Sequence, residues 1–472
     1  MKRKILIALI WIAVWQAAAM VVGNTLLLPS PVDTIRALLG MLQDGTFYVD
    51  ALSTTARCIV AMLLALALGF ILSVEAYRHR TIRDILSLPV SLFKTIPIMA
   101  VAIYMILLLS PGHVPVLVCW IMCFPIVYTN LLTGLDSMDK SFLEMSQVFR
   151  ISNRRKLRLI YMPSLYPYFS SAMSLIAGMS WKAIVTAEVL SIPQFSLGYE
   201  LMNSKYYLNT DKLFAYVVAI VGISVAFERL IKLALAKAKP HNYEYSKVAR
   251  FSDNAPSSGY SNTNINDLDT SGSTSEPNSI TLNNVGKSYG DKAVLNNFNL
   301  TLESGKVTAI MGPSGRGKTT IARILSGLET ADSGEVKAPS RIAYLFQEDR
   351  LLPWLNVYDN LAIVMDSTSI DSSNETIDET IHRILKAVEL DEEVWKLPGE
   401  LSGGMSYRVA MARAFIYDAN FLIADEPFRG LDATIKKKAV DKLWTPGIAG
   451  KTVLLITHSS EDATLADTTI YV

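Results

Sequence analysis

The chain has 472 residues, 51% of them hydrophobic and 18% charged, with a mean hydropathy of +0.30 and a formal net charge of +1. A chain of this length is expected to hold about two to four domains, and the absence of any basic stripe interleaved with aromatics argues against a nucleic-acid partner. Cys58, Cys119 and Cys123 all lie in apolar runs. That excludes a disulfide framework. Cys119 and Cys123 are one helical turn apart, but no His or acidic residue is near in sequence, so they read as packing rather than as a metal pair.

Hydrophobicity is unevenly spread. Lys2-Arg3-Lys4 precedes an apolar run from Ile5 to Val22. A signal peptide is one reading of this start. The run is long enough to span a bilayer and more apolar runs follow, so a first membrane helix fits better. Further spans are expected at 52–74, 85–110, 114–134, 165–190 and 213–235, six in all with the first. Pro89 and Pro97 predict a break or kink in the third. Basic residues cluster at Lys2–Lys4, at Arg78, Arg80 and Arg83, at Arg150, Arg154, Arg155, Lys156 and Arg158, and at Arg229, Lys232, Lys237 and Lys239. The opposite loops carry only scattered ones, such as Arg36, Lys205 and Lys212. Positive residues mark the cytoplasmic side, so a multi-pass protein of the plasma membrane is expected, with the N-terminus and the end of this half inside.

Arg57, Glu75, Lys94, Lys182 and Glu188 fall within or beside the spans. Ionisable residues there are functional candidates; the alternative is that they snorkel to the interface or pair with one another. Lys94 and Lys182 would suit an anion, although structural pairing explains them equally well. From Phe251 to Ser279 the composition turns to Ser, Asn, Thr, Asp, Gly and Pro. Residues 240–279 therefore read as a flexible tether, with an r.m.s. span of roughly 35 Å as coil.

The last part alternates strand-like and helical patterns. Strands are expected from Ile280, over Val307–Met311, Arg341–Phe346, Phe421–Ala424 and Thr452–Thr457. Ile377, Ile381, Ile384, Leu385 and Val388 share one helical face. This is an α/β layer with a mainly parallel sheet. Between the strand Val307–Met311 and a helix expected over 319–328 stands Gly312-Pro313-Ser314-Gly315-Arg316-Gly317-Lys318-Thr319. It fits the phosphate-loop pattern G-x-x-x-x-G-K-[ST]. Its glycines let backbone N–H groups close around phosphates at a helix N-terminus. Lys318 is placed to reach the β- and γ-phosphates of ATP, and Thr319 to put its hydroxyl on Mg²⁺. Thr320 completes this nucleotide-binding set. The apolar run Phe421–Ala424 ends in Asp425-Glu426. Asp425 is suited to hold Mg²⁺, and Glu426 to act as general base on the attacking water.

Leu401-Ser402-Gly403-Gly404-Met405 resembles the ABC signature L-S-G-G-Q, and the chain over 280–472 is identified as similar to ABC ATPases. The resemblance implies further roles. Tyr289 matches the aromatic that stacks on adenine. Gln347 matches the glutamine that contacts Mg²⁺ or water, and His458 the switch histidine on the γ-phosphate. Asp432 matches the end of the D-loop. Ser402, Gly403 and Gly404 would close on nucleotide bound by the opposite subunit. Met405 replaces the signature Gln, and Arg429-Gly430 replace the usual Ser-Ala. These departures leave the water-activating and metal-binding groups in place, so an active ATPase is expected, slower than usual.

The membrane half resembles the permeases of binding-protein-dependent ABC importers. Glu144, Ile160 and Pro163 fall at the spacing of their cytoplasmic-loop motif, while Met145, Ser146, Arg150 and Met162 depart from it. In that family the loop is a short coupling helix that docks on the ATPase; a solvated basic loop is the bland alternative. Leu28-Pro29-Ser30-Pro31, Ala187-Glu188, Leu197-Gly198-Tyr199 and Phe227-Glu228-Arg229, together with the run Phe346–Trp354, resemble the nitrate/sulfonate/taurine branch.

The expected protein is thus an all-α transmembrane permease over 1–239, a linker over 240–279 and an α/β ABC ATP-binding domain over 280–472. The resemblance implies an ATP-driven importer of a small anion or related nutrient, a homodimer or a heterodimer with another fused chain, served by an extracellular substrate-binding protein. A membrane-bound ATP-binding sensor or regulatory subunit with weak turnover is the alternative, favoured by Met405 and Arg429. The sequence does not identify the substrate.

Overall fold

The computed structural model describes residues 2–238, 279–313, 315–365 and 376–472. The expected linker falls outside these residues apart from Ser279, and so does Ser314. Two compact units result. One joins residues 1–138 to 164–239. The other joins 139–163 to 240–472, so the loop between the fourth and fifth apolar segments packs into the body that carries the nucleotide motifs.

The first unit is helical: α1 (Lys2–Val22), α2 (Pro31–Leu42), α3 (Gly45–Arg78), α4 (Arg80–Thr95), α5 (Ile98–Leu108), α6 (Val114–Asp136), then, after α7 (Lys140–Val148) and α8 (Asn153–Lys156) of the other unit, α9 (Met162–Ser191), α10 (Leu197–Tyr206) and α11 (Thr210–Ala238). Among the described residues, α3, α6, α9 with the segment leading into it, and α11 are long and apolar enough to cross a membrane. The expected third span is two helices, α4 and α5, bent by 104°. The bend falls at Pro97 and not at Pro89, which sits inside α4. Pro97 disfavours the helical region for Ile96, which is extended at φ −67° and ψ 129°. The first apolar run is helical, but its described apolar stretch Leu9–Val22 is shorter than the others.

The short α2 and α10 are additions to the expected pattern. Ser30 caps α2 by accepting from the Asp33 N–H at 3.2 Å, with Pro31 at the first helical position. Ser196 caps α10 in the same way. The core gathers on α3 and α6. A Cβ at Gly69 of α3 would stand 2.7 Å from Val127 Cγ1, so glycine sets the spacing of that pair. Cys58, Cys119 and Cys123 are fully buried in this cluster, as packing residues.

Two of the charged residues of the membrane half form a pair. Glu188 of α9 is fully buried and lies 2.8 Å from Arg57 NH1 of α3. Its carboxylate also accepts from Thr54 Oγ1 and from the Gly198 N–H, while Arg57 donates to the carbonyls of Gln194 and Phe195. This network ties α3, α9 and the start of α10 together. Glu75 pairs with Arg78 at the surface, and Lys94 and Lys182 are exposed.

In the second unit, β1 (Ser279–Tyr289), β2 (Lys292–Glu303) and β4 (Ser333–Lys337) form an antiparallel sheet in the order β2-β1-β4. The strands β3 (Val307–Met311), β5 (Ile342–Leu345), β6 (Phe421–Asp425), β7 (Thr452–Ile456) and β8 (Thr468–Tyr471) form a parallel sheet in the order β5-β6-β7-β3-β8. Strands β3, β5, β6 and β7 are buried at every position. Such continuous apolar runs are what a parallel sheet covered on both faces requires.

The Glu188 network yields a stability prediction. Arg57→Met leaves a buried carboxylate uncompensated and is expected to cost on the order of 3 kcal/mol. The double change Arg57→Met with Glu188→Met is expected to recover most of that loss. Thermal unfolding of the full chain in detergent, read in wild type, single and double variants, checks both. A single variant as stable as wild type would refute the role assigned to the network.

Candidate functional site

The nucleotide motifs converge because the sheet is parallel. The phosphate loop follows β3, Gln347 follows β5, Glu426 follows β6, and His458 follows β7. All four therefore leave the same edge, the carboxyl ends of neighbouring strands, where α/β sheets bind ligands. Gly317 caps the helix Lys318–Leu325 with φ +88°. A Cβ there would stand 3.0 Å from side-chain atoms of Leu295 and Val294, so both conformation and space call for glycine. Pro313, Gly315 and Arg316 are exposed on the loop, with Gly312 and Thr320 half-buried at its ends. Lys318 Nζ donates to the carbonyls of Gly312 and Pro313 at 2.7 and 2.8 Å, which holds the ammonium over the loop.

Thr319 Oγ1 lies 3.3 Å from Asp425 Oδ2. The two border a cleft of about 110 Å³ with Gln347, Glu348 and Arg350. A hydroxyl, one carboxylate and an amide suit a divalent ion that keeps several waters and takes phosphate oxygens as further ligands. Burial, and then the neighbouring Glu426, push the Asp425 carboxyl up to about 6. A bound dication would reverse that by favouring the charged form.

Glu426 stands in the left-handed region at φ +53°, unusual for a side chain of this kind. Its N–H donates to the Ile456 carbonyl at 2.8 Å, and its own carbonyl accepts from the Tyr407 hydroxyl at 3.0 Å. The carboxylate is therefore aimed by a pinned backbone. It meets His458 Nδ1 at 3.1 Å, Gln347 Nε2 at 3.3 Å and, more loosely, Arg429 at 3.7 Å. Base, histidine and glutamine thus form one cluster.

Other expected residues lie apart from this cluster. Tyr289 ends β1, is 46% exposed and has Lys287 Nζ over its ring, 5.4 Å from the centroid. Ser402 caps the helix Gly403–Ile416 by accepting from the Met405 N–H at 3.3 Å, and Asp432 caps the helix Ala433–Ala439 through the N–H groups of Thr434 and Ile435. Neither Ser402, Gly403, Gly404 nor Asp432 lines the cleft. A segment that serves a partner subunit's nucleotide would be left free in this way.

The segment 139–163 is seated against the residues around Gln347. Glu144 of α7 accepts from Arg323 NH2 at 2.7 Å and from Arg350 NH1 at 2.8 Å. The Arg323 guanidinium, and then Arg350, hold its carboxyl below the usual range. Arg323 belongs to the helix that the phosphate loop caps, and Arg350 lies three residues after Gln347, its guanidinium 3.9 Å from the Phe346 ring centroid. Trp354 Nε1 donates to the Leu159 carbonyl at 2.7 Å, and its ring meets Phe142 edge-on. Gln147 Nε2 donates to the Gly327 carbonyl at 3.1 Å. The fully buried Arg413 props the far side by donating to the carbonyls of Asp349 and Arg350. Sequence reasoning singled out Glu144 but not Arg323, Arg350 or Arg413. The only signal available for Arg350 was its place in the run Phe346–Trp354.

Comparison with known proteins agrees with this geometry. Residues 295–429 match the family described as ABC transporter, and residues 65–239 match the family described as binding-protein-dependent transport system inner membrane component. The chain is 42% identical over 189 residues to an aliphatic sulfonates import ATP-binding protein of Corynebacterium glutamicum, covering 40% of this chain and 77% of that protein. It is 37% identical over 197 residues to an aliphatic sulfonates import ATP-binding protein of Nocardia farcinica, covering 41% of this chain and 78% of that protein. It is also 35% identical over 201 residues to a sulfate/thiosulfate import ATP-binding protein of Pectobacterium atrosepticum, covering 39% of this chain and 60% of that protein. Among solved structures, a dimeric ATP-binding cassette bound to ADP and Pi is 29% identical, with a TM-score of 0.37, covering 41% of this chain and 94% of that one.

The Glu426–Arg429 contact yields a test. Arg429 occupies one side of the Glu426 carboxylate. Arg429→Ser is expected to raise steady-state hydrolysis about two- to fivefold, as expected for loss of a partly exposed charge pair. An unchanged or lower rate would remove Arg429 as the cause of slow turnover.

Proposed function

The chain belongs to the ABC transporter family, as an importer permease fused to its ATPase, and on that premise we propose that two copies form a plasma-membrane importer of a small sulfonate-like solute. The nucleotide half binds ATP, and its hydrolysis is coupled to transport. The observation that carries the mechanism is the single cluster of Glu426, His458 and Gln347, joined through the run Phe346–Trp354 to Glu144.

Each residue has a task in the proposal. The loop N–H groups and Lys318 hold the phosphates, and Tyr289 stacks on the base. Thr319, Asp425 and Gln347 would hold Mg²⁺, and the bound ion would supply positive charge to the phosphates. Glu426 takes the proton of the attacking water, and His458 faces the transferred phosphoryl group. Ser402, Gly403, Gly404 and Asp432 serve the opposite subunit's nucleotide, so activity needs two chains, and two-fold symmetry then gives two equal sites. Closure of the ATPase pair moves the Gln347 segment, and Glu144 carries that motion to α7. An extracellular binding protein supplies solute. The sulfonate assignment rests on the relatives named for aliphatic sulfonates; the cytoplasmic position of the ATPase rests on the positive residues at 78–83 and 150–158.

The alternative, an ATP-binding regulatory subunit, is favoured by the Arg429 contact on Glu426. One experiment separates them. Purified full chain in nanodiscs is expected to hydrolyse Mg²⁺-ATP, and Glu426→Gln to lose at least a hundredfold in rate while still binding nucleotide, the scale of loss for a positioned general base. Binding by wild type without turnover would establish the regulatory reading instead.

A further inference from the structure

A cavity of about 730 Å³ in the membrane unit lies among α2, α3, α10 and α11. That is within the size range of small-molecule sites. Its charge is opposite to what a sulfonate alone requires. Asp44, Asp50, Glu200 and Asp211 line it, against the one cation Lys212. Lys94 and Lys182, the residues suited to an anion, do not line it.

Three of the four carboxylates have ordinary explanations. Asp44 caps α3 by accepting from the Thr46 N–H at 3.0 Å. Glu200 lies in the first turn of α10, where a negative charge suits the helix end. Asp211 is exposed in the first turn of α11, where a negative charge suits the helix end. Asp50 is different. It is only 5% exposed, it faces the cavity, and among the described residues no hydrogen bond or ion pair reaches its carboxylate. Its carboxylate opens on the cavity, and a partner for it would have to come from there.

Four aromatic rings share the remaining wall with Ala37, Gly40, Met41, Thr46 and Gln194. Phe47 and Tyr216, both buried, have ring centroids 6.4 Å apart, and Tyr199 and Phe195 are the other two. Carboxylates set among aromatic faces match an organic ammonium group, which gains from charge pairing and from ring quadrupoles together. A bare metal ion fits less well: no group of three or more His, Cys, Asp or Glu among the described residues could hold one.

We propose that this cavity is a solute site on the transport path and that it takes a small organic ammonium compound, with Asp50 as the residue that pairs the ammonium and Lys212 free for an acidic group on the same molecule. The assignment rests on the importer reading and replaces a plain sulfonate with an ammonium compound, an aminosulfonate included. Asp44 and Asp50 stand at the opposite end of α3 from Arg78, so the positive-residue rule puts the cavity mouth outside, where a solute arrives.

The test uses the full chain in nanodiscs and three probes of equal carbon length: propylammonium chloride, 3-aminopropane-1-sulfonate and sodium propane-1-sulfonate, with binding read by calorimetry. Propylammonium and the aminosulfonate are expected to saturate, and propane-1-sulfonate not to. Asp50→Asn is expected to weaken both by at least tenfold, and Asp50→Glu to restore part of the loss. Basal ATP hydrolysis should be unchanged in both variants, which also shows that they fold. Binding of propane-1-sulfonate in preference to propylammonium would overturn the proposal. So would ammonium binding that is indifferent to Asp50, or no probe binding at all. If Asp50→Asn left probe binding untouched but abolished stimulation by a binding protein, the cavity would be a docking surface and the solute assignment would fall. Loss of ATP turnover in wild type would count against the importer reading alone, since probe binding is measured without nucleotide.

Discussion

Glu144 holds two arginines at once, and the seating of residues 139–163 on the ATPase unit rests on that grip. Arg323 comes from the helix that begins at the phosphate loop, and Arg350 from the segment that begins at Gln347. One carboxylate therefore touches two arginines that line the nucleotide cleft. Its position between two guanidiniums, partly buried, makes it a stronger link than an isolated surface pair, because charge-assisted bonds shielded from water lose less to solvation. Phe142 meets Trp354 and Phe149 meets Tyr417 edge-on, so the segment 139–163 is also held by shape.

This arrangement explains why residues 139–163 fall in one compact unit with the ATPase although they lie between two apolar segments of the chain. A loop tied only by exposed charges would not do so. The hydrolytic cluster meets the same run: Gln347 donates to the Glu426 carboxylate, and three residues on Arg350 donates to Glu144. Glu426 and α7 are thus joined by a short path of two hydrogen bonds and the stretch of chain from Gln347 to Arg350. The path is a chain of packed contacts, and it transmits only if that run has two arrangements.

Much of this was legible in the sequence, and the exceptions have physical causes. The buried strands β3, β5, β6 and β7 were plain because a parallel sheet covered on both faces demands unbroken apolar runs. The phosphate loop, Asp425 and Glu426 were plain because phosphate and metal chemistry fix residue types at fixed spacings. The strands β4 and β8 were hidden: Ser333–Lys337 has one valine among polar residues, and Thr468–Tyr471 is four residues at a sheet edge. The hairpin partner β2 did carry a signal, since Phe298, Leu300 and Leu302 alternate, but its first half breaks that alternation at bulges in the pairing with β1. The bend at Pro97 could be read from the proline, but its angle could not. Arg323, Arg350 and Asp50 are single charged residues whose partners lie far away in sequence, and no local pattern reports such contacts.

The central claim is that α7 reads the state of the nucleotide site through Glu144. Hydrogen exchange of the full chain in nanodiscs tests it most directly, with and without Mg²⁺-ATP, in a Glu426→Gln background that holds nucleotide. The account predicts that nucleotide changes protection over 346–354 and 140–160 together, and that Glu144→Ala confines the change to 346–354. Protection over 140–160 that is indifferent to nucleotide, or a response that survives Glu144→Ala intact, would contradict it.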